Sequence, residues 1–166
     1  MKRLSYFIDT LTKYTAYIAA LLSFLLALLI VFDAVNRYLF HSGSIALQEL
    51  EWHFFDLVFL LGLAYSLKHD KHVRVDIFYE KFSKKTKLYI NIAGALFFII
   101  PFCIFIIYYS FDFVMMSYMQ HESSSDPGGL CCRYVIKSAI PLGFALLALQ
   151  AISEVIKNIL YLREAK

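Results

Sequence analysis

The chain has 166 residues, 60% of them hydrophobic and 17% charged, with sixteen Phe, twelve Tyr and a mean hydropathy of +0.63. Soluble domains hold about 45–50% apolar and about 25% charged residues, so the composition excludes an ordinary water-soluble globule and points to burial in lipid. The formal net charge of +3 says little by itself, and no nucleic-acid partner is expected; the distribution of charge carries the information.

The first predicted span covers about residues 14–35. Residues 14–32 carry no charge, and at 1.5 Å per residue such a helix crosses a hydrocarbon core of about 30 Å. Near its outer end Asp33, Asn36 and Arg37 share a helical face. Lys2-Arg3 ahead of an apolar run resembles a signal peptide, but the run is long and "VFDAVNRYLF" has no small-residue cleavage site, so the segment is expected to be retained. In the following "YLFHSGSIALQ", Gly43 permits a tight reversal. That turn predicts a pairing of Arg37 with Glu49 or Glu51, within the chain or across to a partner, with the guanidinium fork matching a carboxylate.

A second span at 45–67 has a polar outer half, because its charge-free run is only 57–67 and it must reach back through Gln48, Glu49, Glu51, His53 and Asp56. Glu49, His53 and Asp56 fall on one helical face. Charges at membrane depth must pair, face a protein partner or line a polar cavity. For Glu49 and Glu51 a simply hydrated position is the competing reading; for Asp56 a partner is expected.

The 68–87 segment collects Lys68, Lys71, Arg74, Lys84, Lys85 and Lys87 as topology anchors. Val75, Phe78, Tyr79 and Phe82 fall on one helical face, with Asp76, Glu80, Lys81 and Lys84 on the other. This pattern predicts an amphipathic helix lying in the headgroup plane, the alternative being a solvated basic loop. His69 and His72 have a spacing that can ligate metal on a helix, but no Cys or third His accompanies them nearby, so solvated histidines and no metal site are expected.

A third span at 88–111 contains Pro101, expected to kink it, and Cys103, a small apolar residue. An outer loop at 112–134 follows, with Glu122, Asp126, Pro127, Gly128, Gly129 and Arg133 as its candidate functional residues. Its adjacent Cys131 and Cys132 could bond only through a strained eight-membered ring, so two thiols are expected. The fourth span, 135–160, is workable because Lys137 and Lys157 can snorkel from its ends.

These breaks place thirteen of the sixteen basic residues on the side of the termini and the 68–87 loop, and only Arg37, Arg133 and Lys137 on the other. Positive flanks stay in the cytoplasm, so both termini are expected inside and the 112–134 loop outside. The predicted fold is therefore an all-α membrane protein of four transmembrane helices forming a single domain, 1–166. No nucleotide-binding loop, catalytic triad or zinc motif occurs in the sequence, and no enzymatic activity is expected.

"VNRYLF", "LQELEWHFFDLVFLLGLAYSLKHDKHVRVD" and "ESSSDPGGLCCRYVIKSAIPLGFALLALQ" together resemble the small membrane subunit, DctQ type, of tripartite ATP-independent periplasmic (TRAP) transporters. The likeness covers about residues 30–155. Its most specific parts are Asn36-Arg37-Tyr38, Glu49 with Glu51, and His72 to Asp76. "DPGGL" with Arg133, Lys137 and Pro141 is similar to one clade of that family, which tends to carry proline where this chain has Cys131. The resemblance implies a scaffold subunit in the bacterial inner membrane, packed against a large elevator-type permease subunit and supplied by a periplasmic substrate-binding protein. It further implies sodium-driven import of an organic acid or related solute, with sodium bound by the large subunit and no cofactor here. The competing reading is a four-helix membrane redox subunit binding haem or quinone, weakened because only His53 approaches the bundle interior. A self-sufficient exporter would be expected to show an internal repeat, which this sequence lacks.

Overall fold

The computed structural model describes residues 2–69 and 82–164. It contains α1 (Lys2–Leu39), α2 (Ile45–Lys68), α3 (Lys84–Gly94), a π-helical turn (Ala95–Ile99), α4 (Ile100–Met119) and α5 (Tyr134–Glu164). Lys84–Met119 runs as one continuous helical span, so four helices among the described residues are long and apolar enough to cross a membrane. The amphipathic segment Val75, Phe78 and Tyr79, with Lys71 and Arg74, lies outside the described residues; Phe82 at its end is exposed.

The helices overrun the predicted spans. The 38 residues of α1 extend about 57 Å, well beyond a hydrocarbon core of about 30 Å. Likewise α4 continues to Met119, so the outer loop contracts from the expected 112–134 to 120–133. Nothing in "FDFVMMSYM" breaks a helix: no Gly or Pro interrupts it, and lipid thickness limits hydropathy, not helicity.

Pro101 acts through the backbone. Its ring removes one amide donor from the ladder, and the chain responds just upstream with the π turn, where the amide of Ile100 reaches back five residues to the carbonyl of Ala95. An expanded turn of this kind absorbs a proline within a continuous span.

α5 is the central helix. It packs against α1, α2, α3 and α4, while α1 pairs with α2. The buried apolar set is dominated by small residues, among them Ala19, Ala64, Ala95, Cys103, Ala139 and Ala151. Lipid gives no hydrophobic drive between helices, so close backbone approach through small residues holds them. Gly143 is such a point, because a methyl group there would stand 2.8 Å from Cβ of Leu60. Large side chains point outward instead: Phe24, Phe97, Phe98, Phe105 and Tyr108 are all more than half exposed.

Candidate functional site

Two polar clusters, one at each end of the bundle, hold the functional candidates. At the end where α2 begins, Glu49 is 5% exposed and is enclosed by the 120–133 loop. Its carboxylate accepts from Ser124 Oγ at 2.5 Å, from the amide of Leu130 at 2.5 Å and from Arg133 at 3.2 Å. Arg133 also lies over the ring of Trp52, 5.8 Å from its centroid.

The loop is shaped for this contact. Ser124 donates its amide to the carbonyl of Leu130 at 3.0 Å, and Ser124 Oγ accepts from the amide of Asp126 at 3.1 Å. Gly129 donates its amide to the carbonyl of Asp126 at 3.0 Å, closing a turn across Pro127 and Gly128. Gly128 takes φ +85°, the left-handed region that favours glycine. A Cβ on Gly129 would stand 2.3 Å from Ser124 Oγ and 2.8 Å from Glu49 Oε2, so the loop can seat the carboxylate only with glycine there.

Glu122, at the start of the loop, pairs with Lys137. The hydrogen bond from Lys137 holds its carboxyl below the ordinary carboxylate range. Lys137 Nζ in turn lies 4.0 Å from the ring centroid of Phe113. Together these contacts tie α2, α4 and α5 through loop 120–133.

The expected pairing of Arg37 with Glu49 or Glu51 is not formed within the chain. Arg37 instead pairs with Asp33 one turn back on α1, since an i,i+4 carboxylate is closer than one beyond the turn. Asp33 is 2% exposed, and its Oδ1 has no hydrogen-bond partner. Asn36 contributes its backbone carbonyl, which accepts from the amides of Phe40 and Ser42 at 3.2 and 3.1 Å and so ends α1. Glu51 and His53 are half-buried, and His53 stacks against Trp52 with centroids 4.2 Å apart. Asp56, also half-buried, lines a cavity of about 330 Å³ together with Arg133 and Lys137.

At the opposite end, near both termini, lies a network that the sequence reading missed. Thr12 donates to Oε1 of Gln150 at 2.7 Å, and both residues are buried. Ser5 and Ser153 share a hydrogen bond of 2.7 Å. The carboxylate of Asp9 accepts from Gln150 at 3.0 Å, Ser153 at 3.1 Å and Lys157 at 3.2 Å. Lys68 donates to the backbone carbonyl of Asp9 at 2.8 Å. A signal was present: Ser5, Asp9 and Thr12, and likewise Gln150, Ser153, Glu154 and Lys157, each recur on one helical face.

Lys84 and Lys85 are exposed and Lys87 half-buried at the start of α3. Cys131 and Cys132 are free thiols 3.1 Å apart, with Cys132 at φ 63°. Among the described residues no three His, Cys, Asp or Glu side chains gather where they could hold a metal ion.

The chemistry around Glu49 and Asp9 is that of fastening, their carboxylates being taken up by neighbouring donors, while Asp56, Arg133 and Lys137 also border the cavity of about 330 Å³. A family profile described as "DctQ: Tripartite ATP-independent periplasmic transporters, DctQ component" matches residues 26–160. No curated protein matches the chain.

Proposed function

The chain belongs to the DctQ component family of the tripartite ATP-independent periplasmic transporters, and from that premise we propose that it is the scaffold subunit of a sodium-coupled importer of an organic acid or related small solute. Its partners are the large elevator-type permease subunit and a periplasmic substrate-binding protein. It lies in the inner membrane with both termini and the 68–87 loop in the cytoplasm, the side that holds thirteen of the sixteen basic residues.

One observation carries the scaffold role. Asp9, Glu49, Gln150 and Lys157, polar groups that could have lined a solute path, are taken up by bonds within the same chain, Glu49 with the 120–133 loop and the others between α1 and α5. A path would need such groups turned toward a shared cavity. The uncovered aromatic faces of α1 and α4 offer area for a partner in the bilayer. Substrate and sodium sites then belong to the large subunit.

Reconstitution into proteoliposomes tests the reading. With the large subunit, the binding protein and an inward sodium gradient, the organic acid should accumulate; with this chain alone, or with the gradient collapsed, it should not. Solute accumulation by this chain alone would overturn the scaffold role.

A further inference from the structure

Between α1 and α2, at the end near the termini, lies a cavity of about 590 Å³, within the range of small-ligand sites. It borders the terminal polar cluster through Lys68, which also donates to the carbonyl of Asp9. Its walls are apolar and small, formed by Ala16 and Ala20 on one helix and Val58 and Gly62 on the other. Its mouth is basic, ringed by Lys13, Lys68 and His69.

Three details distinguish this cleft from loose packing. Gly62 lies in the interior of α2, where glycine costs about 1 kcal/mol relative to alanine, yet a Cβ there would meet nothing within 4 Å. The glycine serves no contact in this chain, in contrast to Gly143, and leaves the cleft floor open. Asp9, one turn before Lys13 on α1, gives its carboxylate to Gln150, Ser153 and Lys157 on α5. Among the described residues Lys68 gives one of its three protons to the carbonyl of Asp9, and Lys13 lies exposed beside the Tyr17 ring.

We propose that this cleft binds an anionic phospholipid of the leaflet on the terminal side. The headgroup phosphate sits among Lys13, Lys68 and His69, and one acyl chain lies over Gly62. The charge profile matches that occupant: Lys13 to Ser23 spans about 15 Å along α1, basic at the surface and apolar below, as a basic pocket between membrane helices requires. The bound lipid fills the cleft between α1 and α2.

Native mass spectrometry of the full chain in neutral detergent tests the site, using phosphatidylglycerol, phosphatidylcholine of the same acyl chains, and inorganic phosphate. One phosphatidylglycerol should be retained, with phosphatidylcholine held at least about fivefold more weakly, and Lys13→Gln should erase about that factor. Gly62→Leu, whose Cβ meets no heavy atom within 4 Å, should fill the cleft and weaken both lipids alike. Equal retention of the two lipids, unchanged by Lys13→Gln, would overturn the proposal, as would displacement of the lipid by millimolar phosphate. In the assembled complex, a photo-crosslinker at Ala20 should label lipid; an adduct to the large subunit would give the cleft to protein and contradict the inference.

Discussion

Arg133 and Glu49, 84 positions apart, meet at 3.2 Å and close the 120–133 loop over the first turns of α2. The contact makes Glu49 a structural anchor of the end where α2 begins. In a double-mutant cycle on thermal stability, Arg133→Ala and Glu49→Ala should be strongly non-additive, whereas Arg37→Ala and Glu49→Ala should add. Coupling only in the Arg37 cycle would restore the pairing expected from sequence.

Hydrogen exchange reads the same clasp from the backbone. The amide of Leu130 donates to Glu49 at 2.5 Å, and a methyl group at Gly129 would displace that carboxylate. Glu49→Ala and Gly129→Ala should each speed exchange at Leu130 about tenfold, a difference of about 1.4 kcal/mol in local opening. Unchanged protection in both variants would show the loop held by other contacts.

The Thr12–Gln150 bond should be the larger contributor at the opposite end. Thr12→Val leaves Oε1 of Gln150 buried without this donor, a loss of about 1–3 kcal/mol. With Gln150→Leu added, the cycle should show a coupling of about 0.6–1.7 kcal/mol, the range for hydrogen bonds between membrane helices. Chemical unfolding in mixed micelles supplies the four free energies, and zero coupling would remove this bond from the packing account.

Acid should loosen the outer end through Glu122. Its folded pKa lies below the ordinary value of 4.5 because Lys137 donates to the charged form. The contribution to stability is therefore complete above pH 4.5 and is lost as pH falls through the folded value. Melting curves from pH 7 down to pH 3 should show an acid-dependent drop that Glu122→Gln reduces. Identical pH profiles for the two proteins would contradict this role.

Orientation is open to direct measurement. Reporter fusions after residues 42, 75, 125 and 166 should report outside, inside, outside and inside. A reporter outside at residue 75 would invert the charge argument.

The spans were legible because runs such as 14–32 carry no charge, and such a run has one low-energy home. Their ends were not, since the helices run on past the apolar runs to Lys2 and Met119, where hydropathy falls but helicity persists. Glu49 was read as either hydrated or paired with Arg37. Arg37 was assigned to it by proximity along the chain, while Arg133 arrives only through the return of the last helix. The Thr12–Gln150 link was hidden for a related reason: uncharged polar residues within an apolar run lower hydropathy only slightly, and their meaning lies in the shared face of two distant helices.

Co-purification tests the central claim, that this chain is a fixed subunit of a larger permease. A tagged copy co-expressed with the large permease subunit should carry that subunit through affinity and size-exclusion steps at one to one, and the large subunit should lose solute uptake when the chain is omitted. Elution of the tagged chain by itself, with uptake by the large subunit undiminished in its absence, would contradict the account.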